Sequence, residues 1–401
     1  MLSKERGVLP RAHGSQGFSE AHSYVGYKRF SAGDIIMNKM QAWNGVFGLA
    51  ASSGIISPDY AIFRPNPSTV DARFLVHLLR DPIYAGIFSG ISRGMGTGFN
   101  RVHPEQFLKV PVPIPSLGEQ HRIANFLDAE TARIDRVRES REVQGTLLSS
   151  MLGQLVNGAT AGDAETLKKL GVAYDSADWG LGKVSRLCRV VPGHAFPSEG
   201  FVHSGGTRLL RGINVSVDET SWDETVSWDE DNTPTPQRFH LRAGDLVLGM
   251  DRPWISSGMR MTFISEKDLP ALLLQRVACL RPNSAGVDMR YIYWSLRSLR
   301  FRQAVEGELT GVSVPHLSGD QIGAFVFPLP PISTQREISD RLSAYSARIR
   351  KLRSTMNRQA ELLNERRQAL ITAAVTGQFD VSTASGRNVI DNVPEPEGVT
   401  P

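Results

Sequence analysis

Cysteine is nearly absent from this 401-residue chain: Cys188 and Cys279 are its only thiols, far apart and in no metal-binding spacing. A disulfide-stapled scaffold is therefore excluded, and two buried thiols in a reducing compartment are expected. The nine histidines form no His-x-x-x-His pair and no Cys/His cluster, so no metal site is expected. No apolar run approaches the roughly 18 residues that cross a bilayer. No apolar stretch follows the opening Met-Leu-Ser-Lys-Glu-Arg, so no signal peptide is expected either, and the chain reads as cytoplasmic. A Gly-Lys-Ser/Thr phosphate loop is missing. So is an excess of one charge: 45 Lys and Arg against 41 Asp and Glu leave a net +4, which permits a nucleic-acid binder without marking one.

That near-balance hides an uneven spread. Residues 1–115 carry 12 basic against 7 acidic side chains, and residues 331–377 carry 9 against 4. Residues 159–330 are net acidic, largely through the run from Asp218 to Asp231, which reads as a solvated loop or edge.

Proline and glycine are missing between Ile332 and Thr376, and this gap is the most informative one. Pro328-Leu-Pro-Pro331 precedes it and Gly377 ends it, which predicts one long helix over 331–377. At 1.5 Å per residue such a helix is about 65 Å long. Its apolar residues fall at alternating steps of four and three: Ile338, Leu342, Tyr345, Ile349, Leu352, Met356, Leu363, Leu370 and Ala373. That spacing is the seam of a coiled coil and requires a partner helix. A second run, 116–158, opens on Pro113-Ile-Pro115 and closes on Asn157-Gly158. Its seam reads Ile123, Leu127, Ile134, Val137, Leu148, Met151 and Leu155.

The rest of the chain is a long internal repeat. Phe30-Ser-Ala-Gly-Asp-Ile-Ile-Met37 leads to Trp43, and Leu241-Arg-Ala-Gly-Asp-Leu-Val-Leu248 leads to Trp254 at the same separation. Arg64-Pro-Asn66 is matched by Arg281-Pro-Asn283, and Val70-Asp-Ala-Arg-Phe-Leu by Val287-Asp-Met-Arg-Tyr-Ile. Order and spacing both recur, so the chain is a duplication. It divides into a first globular copy (1–115), a first helix (116–158), a linker (159–178), a second copy (179–330), a second helix (331–377) and a tail (378–401) expected to be disordered. The second copy has about sixty residues of strand-forming sequence before Gly244, whereas the first has thirty-two before Gly33; its opening strands are expected to be missing. The fold class expected is α+β: two α/β heads separated by two long antiparallel helices, with pseudo-two-fold symmetry. Two similar heads on a stiff spacer suit the reading of two separated half-sites on a linear target.

These features resemble the specificity subunit of type I restriction–modification enzymes. The resemblance rests on Tyr27 to Trp43, Ser57-Pro-Asp-Tyr60, Pro113 to Asp128 and Gln368-Ala-Leu-Ile-Thr-Ala-Ala-Val-Thr-Gly377, and it spans nearly the whole chain. It implies two target-recognition domains reading a bipartite double-stranded DNA sequence. It also implies two modification subunits that bind S-adenosylmethionine and methylate adenine, and motor-nuclease restriction subunits that use ATP and Mg. No cofactor is expected on this chain itself. An adenine methyltransferase needs an Asn/Asp-Pro-Pro-Tyr/Phe loop, which Ser57-Pro-Asp-Tyr60 fails at two positions, so no catalytic residue is expected.

For DNA contact, Lys and Arg suit phosphates, and Arg, Asn, Gln and Lys suit base edges. The candidates are Lys28, Arg29, Asn38, Lys39, Arg93, Asn100 and Arg101 in the first copy. In the second they are Arg208, Arg211, Asn214, Arg238, Arg252 and Arg260. Gly90 to Gly98 reads as a flexible loop able to approach a DNA backbone. Trp43 and Trp254 read as core anchors at strand ends rather than stacking platforms. A coiled-coil scaffold with two protein-binding heads stays open as the alternative, since the second copy is net acidic.

Overall fold

The computed structural model describes residues 1–4, 7–9, 23–92, 100–173, 178–203, 205–230, 233–283, 285–306 and 316–382. The candidate Arg93, most of the loop from Gly90 to Gly98, and the tail from 383 onward lie outside them. Two compact units are present: Met1–Val143 with Thr355–Pro401, and Gln144–Ser354.

In the second unit a four-stranded antiparallel sheet runs in the order Met261–Phe263, Leu246–Gly249, Val277–Pro282, Cys188–Pro192. A second sheet orders Phe201–Val202, Ser227–Trp228, Thr207–Leu210 and Ala271–Leu273, its last pair parallel. The first unit repeats three strands of the first sheet: Phe47–Leu49, Ile35–Asn38 and Tyr60–Phe63. Its strand Gly54–Ile56, paired antiparallel with Lys28–Phe30 as Leu272 is bridged by His240, answers Ala271–Leu273; among the described residues it has no counterpart of Cys188–Pro192 or of the other three strands of the second sheet.

One hydrogen-bond frame builds both copies. Gly33 and Gly244 turn at φ +88°, a conformation that only glycine adopts without strain. The Gly33 amide donates to Ala50 O and the Gly244 amide to Ile264 O, both at 2.8 Å. The next residue, Asp34 or Asp245, is buried and accepts from Ser31 N at 2.8 Å or Arg242 N at 2.9 Å. Each carboxylate also takes an arginine from the following strand, Arg64 at 2.8 Å or Arg281 at 2.7 Å. The Arg64 guanidinium holds the Asp34 carboxyl below the usual carboxylate range despite its burial.

The helices that follow are capped alike. Asp71 accepts from the Arg73 and Phe74 amides at the start of Ala72–Leu79, and Asp288 from the Arg290 amide at the start of Met289–Leu296. A buried glutamine then ties each head to its long helix. Gln120 accepts from Asp71 N at 2.9 Å and donates to Thr69 O at 3.1 Å and Pro115 O at 2.9 Å. Gln335 accepts from Asp288 N at 2.9 Å and donates to Gly286 O at 3.3 Å and Pro330 O at 2.8 Å.

The first long helix is Leu117–Ala161 and the second Ile332–Val375. The first runs through Asn157-Gly158, where a stop at 158 was expected. Glycine is needed there for another reason: a Cβ would strike the Thr166 side chain of the short helix Ala164–Leu170. The chain turns instead at Gly162, φ +77°. In the first unit Ile123, Ala124 and Leu127 share a core with Leu370, Ile371 and Val375. Phe126 meets the Phe379 ring at 5.6 Å and Asp135 meets Arg367 at 3.7 Å, so the two helices run antiparallel. In the second unit Leu152, Leu155 and Val156 pack with Ile338, Leu342 and Tyr345.

The seam differs from expectation in one respect. Leu127, Ile134, Leu342, Ile349 and Leu370 are buried, and Leu148, Met356 and Leu363 half-buried. The alternate position, however, lies one residue further on. Ala124, Thr131, Ser339, Ser346 and Ala374 face inward, while Val137, Met151 and Leu352 are 40, 50 and 45% exposed. Ile123 and Ile338 are buried as well, within the cores of their units. Small side chains fit a close helix contact, and a hydroxyl satisfies itself locally: Thr131 Oγ1 donates to Leu127 O at 2.7 Å. A search for the most apolar stripe passes over such a seam.

Two outcomes follow for chemical unfolding of the full chain. Ile349→Asp places a charge at a buried position and should cost about 3 kcal/mol or more, whereas Leu352→Asp should stay within about 0.5 kcal/mol. Gln335→Ala leaves the Asp288 amide without its acceptor and should cost about 1–3 kcal/mol. Equal effects of the two aspartates would refute the shifted seam.

Candidate nucleic-acid interface

The frame ends the central strand at the same place in both copies, at the half-buried Lys39 and at the buried Met250. Lys39 N donates to Asp59 O at 3.3 Å and Met250 N to Arg276 O at 2.9 Å. Val102 N donates to Lys39 O and Leu317 N to Met250 O, each at 2.9 Å. The sites around Lys39 and Met250 are therefore structural equivalents, and each gathers cations.

In the first copy Lys28, Lys39 and Arg101 come together. Burial lowers the Lys39 pKa, and Lys28 and Arg101 lower it further, with Asp59 opposing. Asp59 lies 3.6 Å from Arg101. Lys28 Nζ donates to Tyr60 O at 2.7 Å, and Asn38 Oδ1 accepts from Met40 N at 3.0 Å. Arg29 and Asn100 are exposed. Trp43 is not the core anchor expected: it is 38% exposed beside this cluster, fixed by its Nε1 donating to Met40 O at 2.8 Å. It lies within the single 3-10 turn Ala42–Asn44, in which Ala42 is the buried residue. Its counterpart Trp254 is half-buried against Phe301, with Arg302 over its ring at 5.7 Å.

In the second copy the equivalent cluster is Arg252, Arg260, Arg276 and His316 around Asp251. Arg276 Nη1 lies 3.3 Å and His316 Nδ1 2.6 Å from the Asp251 carboxylate. Arg260 donates to Asp251 O and Val215 O, both at 3.0 Å, so its chain is held while Arg252 stays exposed. Arg252 and Arg276 adopt left-handed backbone, φ +44° and +72°, which costs each about 1–2 kcal/mol. Such strain concentrates where side chains are aimed for use. Sequence reasoning missed Arg276 and His316. The signal that could have found Arg276 is its alignment with Asp59 in Ser57-Pro-Asp-Tyr60.

Three candidates of the second copy are occupied elsewhere. Arg208 stacks over Trp222 at 4.3 Å and donates to Lys267 O and Leu269 O at 3.3 Å. Arg211 donates to Glu224 O at 2.7 Å. Asn214 is 2% exposed, and its amide is spent on Arg211 N, Ser221 O and Glu224 O. These three build the loop from 211 to 225. Arg238 is exposed and stacks over Phe239 at 4.7 Å, away from the Asp251 cluster in the chain contacts it makes.

The sequence family decides what such a frame belongs to. A family model described as "Type I restriction modification DNA specificity domain" matches residues 23–143 and 213–362. The chain belongs to this family. It is similar to the type I restriction enzyme MjaVIII specificity subunit of Methanocaldococcus jannaschii, 25% identical over 72% of this chain and 67% of that one. The EcoAI specificity subunit of Escherichia coli is 24% identical over 87% of this chain and 73% of that one. A chain solved in work on complex assembly and conformational transition of the type I R-M system shares the fold at TM-score 0.70 and 19% identity, covering 89% of this chain and 85% of its own. The HsdS subunit of Thermoanaerobacter tengcongensis matches at TM-score 0.52 and 18% identity, over 87% and 82%. Members of the family are the non-catalytic specificity subunits of their systems, and this chain is one of them.

The loop that carries Thr220 and Trp222 hangs on Asp268. Burial works to raise its pKa, but hydrogen bonds from Ser265, Thr220 and Trp222 outweigh burial and hold it at about 2. The folded pKa lies below the unfolded one, so this contribution is present above pH 4 and lost as pH falls toward 2. Asp268→Asn should therefore destabilise the chain by about 1–3 kcal/mol at pH 7, with the difference from the parent shrinking below pH 4. A pH-independent difference would refute the assignment.

Proposed function

We propose that the two heads each read one half of a bipartite double-stranded DNA target, through the cationic clusters at the strand ends, around Lys39 in one head and around Asp251 in the other. The observation that carries this is the equivalence of the two cationic clusters on one hydrogen-bond frame, within a family named for DNA specificity. In this reading Lys28, Lys39 and Arg101 meet phosphates in one half-site and Arg252, Arg260 and Arg276 in the other. Asn38, Asn100 and Arg29 flank the first cluster as base-edge or phosphate contacts, and the exposed Arg238, apart from the second cluster, is a further phosphate contact. The long antiparallel helices act as the spacer, related by a pseudo-two-fold axis, and position two modification subunits and the restriction subunits. S-adenosylmethionine, ATP and Mg belong to those partners, in the cytoplasm. The family match favours this reading over a scaffold without a DNA role.

Footprinting of the chain co-expressed with its modification subunit tests it. Two protected patches are expected, with affinity that falls steeply with salt. Arg252→Ala or Arg276→Ala should weaken one patch, by about 1–3 kcal/mol where the contact is a bidentate base pairing. Lys39→Ala should weaken the other and lower the salt slope by about one. A single patch, or protection insensitive to all three variants, would overturn the reading.

A further inference from the structure

Arg80 closes the helix Ala72–Leu79 and donates through Nη2 to the carbonyls of Ser3 and Lys4. Its Nε is buried and has no hydrogen-bond acceptor among the described residues. The same holds for Nε of Arg138, on the first long helix, and of Arg367, on the second. One carboxylate, the half-exposed Asp135, serves the last two, at 3.5 Å from Arg138 Nη1 and 3.7 Å from Arg367 Nε. Arg138 and Arg367 thus share one acid, and Arg80, beside Arg367, has no ion pair among the described residues. Burial, then the Arg367 charge, pull the Arg80 pKa down to about 10, the mark of a cation lacking a counter-charge.

The second copy shows what such a position takes. By the internal repeat, Arg297 corresponds to Arg80, Arg350 to Asp135 and Arg353 to Arg138. There Asp218, in left-handed backbone at φ +67°, places its carboxylate 2.6 Å from Arg297 and 2.9 Å from Arg350, and the Tyr293 hydroxyl donates to it as well. Asp218 comes from the segment between Thr207–Leu210 and Ser227–Trp228, which has no counterpart among the described residues of the first unit. The first copy keeps Arg80 and Arg138, puts Asp135 where Arg350 stands, and among the described residues gives Arg80 no counterpart of Asp218.

We propose that Arg80, Arg138 and Arg367 form a site for an exogenous phosphate-class oxyanion, lying beside Arg80 as the Asp218 carboxylate lies beside Arg297 in the second copy. Planar guanidiniums with free N–H groups suit bidentate capture of such an anion. The anion is either a DNA backbone phosphate or free phosphate, and the two arms of the test separate them.

The first arm melts the full chain in inorganic phosphate against chloride at matched ionic strength, and needs no DNA. Phosphate should raise the melting temperature by about 2–4 °C. Arg367→Met and Arg138→Met should each abolish that increment; if one variant fails to fold, the other carries the test. No increment in the parent, or an increment unchanged in the variants, overturns the proposal. The second arm measures duplex binding of the same proteins. A loss of about 3–10-fold with a salt slope lower by one assigns the site to a DNA phosphate; unchanged binding with the melting result intact assigns it to free phosphate. Failure of the two-patch footprint leaves the first arm standing.

Discussion

A carboxamide buried at the foot of each long helix is the constraint on which the architecture depends. Gln120 and Gln335 satisfy a backbone donor of the head's capping turn and the proline carbonyl two residues before their own helix. An uncharged amide suits the place, because it gives and accepts at once in a dry site where a carboxylate or a lysine would leave a charge uncompensated. The helix therefore leaves its head in one direction, set by hydrogen bonds and not only by packing. The repetition of every partner in the second copy shows that the junction, and not the surrounding surface, is what the duplication kept.

The heads divide labour between frame and dressing. The buried Asp34–Arg64 and Asp245–Arg281 pairs hold the turn that starts the central strand, and that strand leads to Lys39 in one copy and through the buried Met250 to Asp251 and Arg252 in the other. On this common frame the charged side chains are permuted: Asp59 stands where Arg276 does, and Met40 where Asp251 does. Net charge consequently says little about the second head. It is acidic overall, yet three arginines and a histidine surround one aspartate at the strand end.

Much of this was legible in the sequence because it rests on local rules. The Gly-Asp turns, the Asp caps and the proline-bounded helices each follow from backbone chemistry that one sequence displays, and the internal repeat doubled every such signal. The seam was half legible: the leucine and isoleucine positions announced themselves, but Thr131, Ser339 and Ser346 gave no apolar signal. The interface was least legible. Arg208, Arg211 and Asn214 have the right chemistry for DNA, and only the fold shows their groups turned to carbonyls and a tryptophan face. Arg276 has the same chemistry and was passed over, since exposure on a strained turn depends on distant partners.

The two cysteines have a consequence outside recognition. Both thiols are free and buried, and burial pushes Cys188 up to about 12 and Cys279 higher still. With a pKa near 12, about one Cys188 in ten thousand is thiolate at pH 8, and the thiolate is the form that reacts with maleimides or disulfide reagents. The native chain is therefore silent to thiol chemistry while folded. A cysteine introduced at an exposed position such as Arg252 or Asn100 would carry a dye or spin label alone, on the unaltered background of the wild-type protein.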